Sequence, residues 1–517
     1  MQKLLLTTVS AIALAISATA AMASSSSTYI TQEGTGQQAT IDQSGATDGQ
    51  VGVADPTAIE YGPFDQNNGV AGGTGGNVIS ITQYGTGNEV GVAGAASFQS
   101  GTTNSASITQ SGNYGSVVLF QTGTSNGNNA TYGVGTISQN SMATGDIASV
   151  TENGSYNYFN ISQGGANASG NAANSVTVSQ QSGGYGSGAG NYVTASQYGF
   201  GLVVSATQYG DYNYLLSAVS NPGNPFSGGQ TGNTNSLYAN QTNLVGGAIG
   251  SFNVIYNTQS GNNNSAGAPG SPLVQFGTLL TITNNQSGSS DGFAASQNGS
   301  SNTIANIQAG GSDSLNVENQ AGSSSTITNN QYAGSSDETL TVVSQTGAGG
   351  LIVNNQYGNG DTATVLGQGG GNNSITNNQS GAGGIAQYDQ SGAGSNDNIT
   401  LQAQTGYGNS VYVAQTGSNN NMTLAQYGDA TGGNKIGSSG APVAQSDSYE
   451  TAFLGQGATY AGGVLTGYAY VDGNTIAGSQ AGGVAGGGNT VVVTQNSNGN
   501  TASYVQNGQS NSATIKQ

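Results

Sequence analysis

The chain has 517 residues, of which 89 are glycine and only 5% are charged. Lys and Arg total 3 against 22 Asp and Glu, a formal net charge of −19, and His, Cys and Trp are absent. This excludes a basic nucleic-acid patch, an imidazole base, a thiol nucleophile and a disulfide framework. Glycine is abundant but lacks the every-third-residue spacing of collagen.

The first segment reads as an export signal. Met1-Gln2-Lys3 is followed by the apolar run Leu4 to Ala21 and then by Ala21-Met22-Ala23. A short basic start, an apolar core and an Ala-x-Ala site predict a secretory signal peptide over 1–23, cut after Ala23. Loss of Lys3 takes the charge of the mature chain, 24–517, from −19 to −20. No later apolar run is long enough to span a bilayer, so the mature chain is expected to be extracellular with no transmembrane segment.

From there the chain is a repeat array, most regular over 28–43, 77–219, 273–428 and 474–517. Glutamine returns eleven residues apart, usually two places before a glycine. Gln275, Gln286, Gln297 and Gln308 precede Gly277, Gly288, Gly299 and Gly310, and Gln404, Gln415 and Gln426 precede Gly406, Gly417 and Gly428. Gln495, Gln506 and Gln517 repeat the interval, with Gly508 after Gln506. A clean unit is Asn409, Val411, Val413, Gln415 and Gly417.

Within a unit, apolar residues and Gln alternate with polar ones, which predicts a strand with one buried face. Eleven is odd, so a strand continuing through the interval would bring the next Gln out on the opposite face. The chain must turn once per unit, and the glycines with their small polar neighbours are placed to do so. The predicted fold is all-β: stacked strand-turn-strand repeats forming a cross-β solenoid, two strands to a roughly 22-residue rung. Inward Gln amides need partners, and stacked rungs supply them as a Gln ladder.

The seven prolines, at 56, 63, 222, 225, 269, 272 and 442, fall outside the clean units. Proline removes a ladder donor, so irregular insertions or degenerate rungs are expected near 48–76, 221–272 and 430–473. Longer intervals, such as Gln331 to Gln345, are expected to lengthen turns. Glu152 stands where a Gln should be. The favoured expectation is a frayed rung with its carboxylate in water; the alternative is a buried gatekeeper that slows stacking.

Little in the chain serves catalysis. Asp337 and Glu338 are adjacent and so on opposite faces of a strand, and Lys435 sits in a polar Gly-rich turn. Gly369-Gly370-Gly371 lacks the Lys of a phosphate loop. Asp does not recur with the period as in calcium-binding solenoids, and the Thr pairs 281/283 and 326/328 do not recur as an ice-binding array would. A non-enzymatic chain without cofactor or metal is expected. Tyr84, Tyr198, Tyr209, Tyr357 and Tyr427 follow Gln at outward parity and read as a stacked turn edge or an adhesive strip.

The Gln-x-Gly, the Asn that opens the next strand and the closing Gln, as in Gln404-x-Gly406-x-x-Asn409 running on to Gln415, resemble the curlin repeat of curli fibre subunits. The resemblance implies a functional amyloid on a bacterial surface, exported through a dedicated outer-membrane pore and polymerising outside the cell. It also implies a related nucleator, accessory proteins, and a role in adhesion and biofilm matrix. The chain departs from that pattern in its length and its proline-containing insertions. Its last strand, with Asn511, Ala513, Ile515 and Gln517, is expected to be an edge open to strand addition by another copy. A non-polymerising solenoid adhesin is the alternative reading.

Overall fold

The computed structural model describes most of residues 27–517; the longest stretches outside the description are 52–63, 68–76 and 244–252. The expected signal peptide, 1–23, also lies outside the described residues. Among the described residues every regular element is a strand. The chain forms two compact units, Met1–Thr234 and Asn235–Gln517.

In the second unit the chain passes alternately through two parallel sheets, as the odd period requires. One contains Thr281–Gln286, Thr303–Gln308, Thr326–Gln331, Leu351–Gln356 and Ser374–Gln379, paired in that order. The other contains Gly292–Ser300, Ser314–Gln320, Thr339–Val342, Thr362–Gln368 and Ile385–Gln390. The first unit repeats the scheme. Ser116–Thr124, Ile147–Ser155, Ser175–Gln181, Val203–Tyr209 and Pro225–Thr231 stack in one of its sheets. Gly133–Ser141, Tyr158–Gly165, Tyr192–Tyr198 and Tyr214–Ser220 stack in another.

Register places like on like. Ile282, Ile304, Ile327, Ile352 and Ile375 are successive partners, and all are buried. Such a column gives the narrow core its hydrophobic term, about 1.5–3 kcal/mol for each fully buried aliphatic side chain. Alternation with polar neighbours leaves the other face of each strand half-exposed, as for Thr281–Gln286.

Rungs average about 25 residues, longer than the expected 22. The Gln-to-Gln step is 22 residues from Gln286 to Gln308, 25 from Gln331 to Gln356 and 39 from Gln456 to Gln495. The strands stay short while the connections absorb the difference. Some extra residues leave the stack in mid-strand rather than at a turn. Ser265–Ala266 and Leu273–Thr278 both pair with Ser236–Asn243, with Pro269 and Pro272 in the excursion between them. Lys435–Ile436 and Val443–Gln445 flank Pro442 in the same way against Ser410–Gln415.

The expected insertions therefore contain working rungs. Pro225–Thr231 pairs with Val203–Tyr209 and sets Gln230 opposite Gln208. Pro225 opens that strand, a position that tolerates a missing N–H. Phe64–Asn67 and Thr451–Gln456 also join the stacks. The region 430–473 does hold one addition, an antiparallel hairpin of Ala458–Ala461 and Val464–Tyr468.

Candidate functional site

The glutamines of the second unit form two hydrogen-bonded columns, one per sheet. In the first, each Nε2 donates to the next Oε1 through Gln259, Gln286, Gln308, Gln331, Gln356, Gln379, Gln404, Gln426, Gln456, Gln495 and Gln517. Gln275, Gln297, Gln320, Gln345, Gln368, Gln390, Gln415, Gln445, Gln480 and Gln506 do the same in the second. Gln379 reaches Gln404 at 2.7 Å, and Gln456 reaches Gln495 at 3.2 Å. Glutamines eleven apart, such as Gln404 and Gln415, fall in different columns.

Each amide also donates to the facing sheet. Gln308 reaches Gly292 O at 3.0 Å, Gln404 reaches Ile385 O at 3.3 Å and Gln415 reaches Asn398 O at 3.0 Å. One side chain thus ties its rung to the next rung and its sheet to the other sheet, leaving neither amide hydrogen idle.

To the turn-making that the sequence gives them, most of the glycines add close approach. A Cβ on Gly288 would lie 1.8 Å from Gly310 O, one on Gly299 2.1 Å from Gly322 O, and one on Gly406 2.3 Å from Gly428 O. At these positions glycine is required because backbones stack without room for a side chain. Of the expected turn glycines, Gly277, Gly299, Gly406, Gly417 and Gly508 have positive φ, while Gly288, Gly310 and Gly428 do not. The left-handed residue common to both kinds of turn sits four places after Gln: Ser290, Ser301, Ser312, Asn419 and Ser510, with φ from 54° to 65°. Sequence reasoning missed it, although Ser, Asn and Gly recur there.

The residue five places after Gln decides which way the turn peptide faces. Where it is Asn, its Nδ2 donates to the carbonyl just before the glycine: Asn302 to Asn298 O at 2.9 Å, Asn420 to Thr416 O at 2.8 Å. Gly299 and Gly417 then have φ of 111° and 103°. At Asp291 and Asp313 the glycine N–H turns in to the carboxylate, Gly288 to Asp291 at 3.2 Å and Gly310 to Asp313 at 3.1 Å. In both cases Oδ1 accepts the backbone N–H one rung on, as from Asp291 to Asn264 at 3.1 Å and from Asn420 to Asp397 at 2.8 Å.

This column holds Asp291, Asp313, Glu338 and Asp361 on four consecutive rungs, all buried. Burial raises the Asp313 and Asp361 carboxyls to about 6, and raises Asp291 as well. At Asp313 the charges of Asp291 and Asp337 add to the rise, against the N–H groups of Glu338 and Gly310.

A third ladder was also missed. In the strands from Thr281–Gln286 to Ser374–Gln379, Asn284, Asn306, Asn329, Asn354 and Asn377 point inward, each Nδ2 donating to the Oδ1 of the preceding rung at 2.6–2.8 Å. The buried Tyr388 hydroxyl, from the facing sheet, donates to Asn377 Oδ1 at 2.7 Å. The next residue in that column is Leu401, so Tyr388 caps the ladder where the apolar core resumes. The recurring Asn-x-Gln, with Asn at the parity of Gln, was the available signal.

In the first unit Glu152 is buried, which overturns its expected place in water. It lies in register between Gln121 and Gln180, and Gln121 Nε2 donates to its Oε2 at 2.7 Å. Desolvation lifts its carboxyl to about 8, against the Gln121 hydrogen bond. Gln180 Oε1 has no donor among the resolved hydrogen bonds. A protonated Glu152 accepts from one neighbour and presents an O–H toward the other, as a Gln amide would.

The strand Ser512–Lys516 pairs with Thr490–Gln495, setting Ala513 against Val491 and Ile515 against Val493. Asn511 N donates to Asn489 Oδ1 at 3.0 Å, and Gln517 accepts from Gln495 at 2.8 Å.

Residues 394–428 match the family described as the curlin associated repeat. That stretch contains Asn398–Thr405, Ser410–Gln415 and Asn421–Tyr427, two strands of one sheet and one of the other, with Gln404, Gln415 and Gln426. The expected resemblance to the curlin repeat is therefore borne out there. No curated protein matches the chain.

Proposed function

We propose that the chain is a secreted structural subunit of a curli-like amyloid fibre, supporting adhesion and biofilm matrix, and that it is not an enzyme. The observation that carries this reading is the sameness of the rungs. Parallel strands in register with continuous Gln columns give every rung edge the same backbone donors, acceptors and amide partners. An incoming copy then meets the chemistry that successive rungs already use on one another, and strand addition extends the stack. The curlin associated repeat match supports the same class. By that resemblance, a nucleator, an outer-membrane pore and accessory proteins are its partners, and other copies of the chain are the polymer. No helix among the described residues is long and apolar enough to cross a membrane.

The test is prolonged incubation of the purified mature chain, followed by electron microscopy, Congo red binding and fibre diffraction. Fibres with reflections near about 4.7–4.8 Å and about 10 Å are expected. Because the chain has no Cys, they should persist equally with and without reductant. A monomer that stays soluble at high concentration with no such pattern would favour the non-polymerising adhesin. The exposed Tyr198, Tyr209 and Tyr407 are the observation behind that second reading.

A further inference from the structure

We propose that Tyr332 and Tyr357 are an oxidative cross-linking site, at which a dityrosine bond joins one rung covalently to the next. The two residues follow Gln331 and Gln356, which are themselves bonded at 3.1 Å. Backbone bonds hold both in the ladder: Tyr332 N to Gln356 O at 3.2 Å and Tyr357 N to Gln379 O at 2.9 Å. Their rings stack with centroids 4.0 Å apart and planes 7° from parallel, and their hydroxyls are hydrogen-bonded. Parallel rings at that spacing bring the two phenols within coupling reach of one another.

Access separates this pair from the stacked tyrosines described in the first unit. Tyr332 and Tyr357 are 36% and 52% exposed. Tyr158, Tyr192 and Tyr214 stack at 4.9 and 4.5 Å, but Tyr158 is only 5% exposed and the other two are half-buried. The chain has 26 Tyr and no Cys, so tyrosine is the side chain available for a covalent tie between rungs.

The oxidant is a haem peroxidase with hydrogen peroxide. Each phenol gives up one electron and one proton, and the resulting phenoxyl radicals couple through their ortho carbons. The hydrogen on each coupled carbon then moves to oxygen, restoring both phenols. Two electrons and two protons in all reduce one hydrogen peroxide to two waters. The link lies within one chain and does not depend on polymerisation.

The test treats the dilute mature chain with peroxidase and hydrogen peroxide. The product is digested with pepsin, since Lys435 and Lys516 leave trypsin few sites, and linked peptides are identified by mass spectrometry. The 332–357 peptide is expected as the main dityrosine product, at a yield independent of protein concentration. Tyr332→Phe and Tyr357→Phe should each abolish it. Tyr407→Phe, which changes a tyrosine 57% exposed, should leave it intact. Linked peptides spread evenly over exposed tyrosines would overturn the proposal. So would failure of the pair to couple in a chain whose circular dichroism remains that of the folded protein.

Discussion

A carboxyl stands in for an amide at Glu152 only while it keeps its proton. The group ionises near 4.5 in its ordinary state and at about 8 in the column, so the folded chain binds more protons across that window. The stability it confers is complete below pH 4.5 and is lost as pH rises through 8, by at most about 1.4 kcal/mol per pH unit. Asp146, raised by burial to about 6, precedes the same strand and titrates in the lower part of that range. Glu152→Gln is therefore expected to remove the fall in stability between about pH 6 and pH 8 and to shrink, without abolishing, the dependence below it, where Asp146 still titrates. Urea midpoints of both proteins at the two pH values check this, and an equal drop in the variant would place the sensitivity elsewhere. Parity in the sequence put Glu152 in line with the glutamines. What it could not supply was whether Gln121 and Gln180 close over it, because a side chain's phase along a strand does not report the stacking of distant rungs.

Two glycines of one strand, Gly292–Ser300, separate close approach from mere flexibility. Gly299 has φ of 111° and no room for a Cβ, whereas the nearest atom to a Cβ on Gly292 would be 4.0 Å away. Gly299→Ala is expected to cost about 2–4 kcal/mol, from backbone strain and separation of the stacked turns. Gly292→Ala should be neutral or stabilising by up to about 1 kcal/mol, since it restricts the unfolded chain without a clash. Thermal unfolding of the two variants decides, and equal losses would mean that the glycine column does not set the stacking distance. At the same scale, Leu279 holds φ of 57° in a turn where Ser or Asn serves elsewhere. Leu279→Asn is expected to raise stability by about 1 kcal/mol, measured by urea denaturation; a loss would show that Leu279 contributes packing that outweighs its strain. The strands, their parity and their alternation between sheets were legible because an eleven-residue period admits little else. The turns were less so. Gln-x-Gly accommodates both orientations of the turn peptide, and the choice rests on Asn or Asp three residues beyond the glycine. Mid-strand excursions such as that before Leu273 were hidden for a related reason: the ladder resumes in register after them, so a sequence gap looks the same whether it falls at a turn or inside a strand.

Acid and assembly are linked through the charge of the whole chain. Its net charge is −19, and at outward positions this repels a second copy. A second contribution is internal: Asp291, Asp313 and Asp361 lie buried in one column, within a sequence whose only basic residues are Lys3, Lys435 and Lys516. Burial raises all three carboxyls, two of them from 3.8 to about 6, so the folded state takes up protons between those values. Their stabilising effect is complete below pH 3.8 and disappears as pH rises through 6. Fibre growth from preformed seeds is accordingly expected to be faster at about pH 5 than at about pH 8. The two contributions separate by mutation. Changing Asp291, Asp313 and Asp361 together to Asn keeps an Oδ1 acceptor for the next rung and removes buried charge. Changing the more exposed Asp211 and Asp389 to Asn, and Glu318 to Gln, alters net charge by the same amount without touching the column. The buried set should bring growth at about pH 8 close to the wild-type rate at about pH 5, and the exposed set should accelerate it less. Equal acceleration by both sets would assign the pH dependence to surface repulsion alone and remove the acid column from the mechanism of assembly.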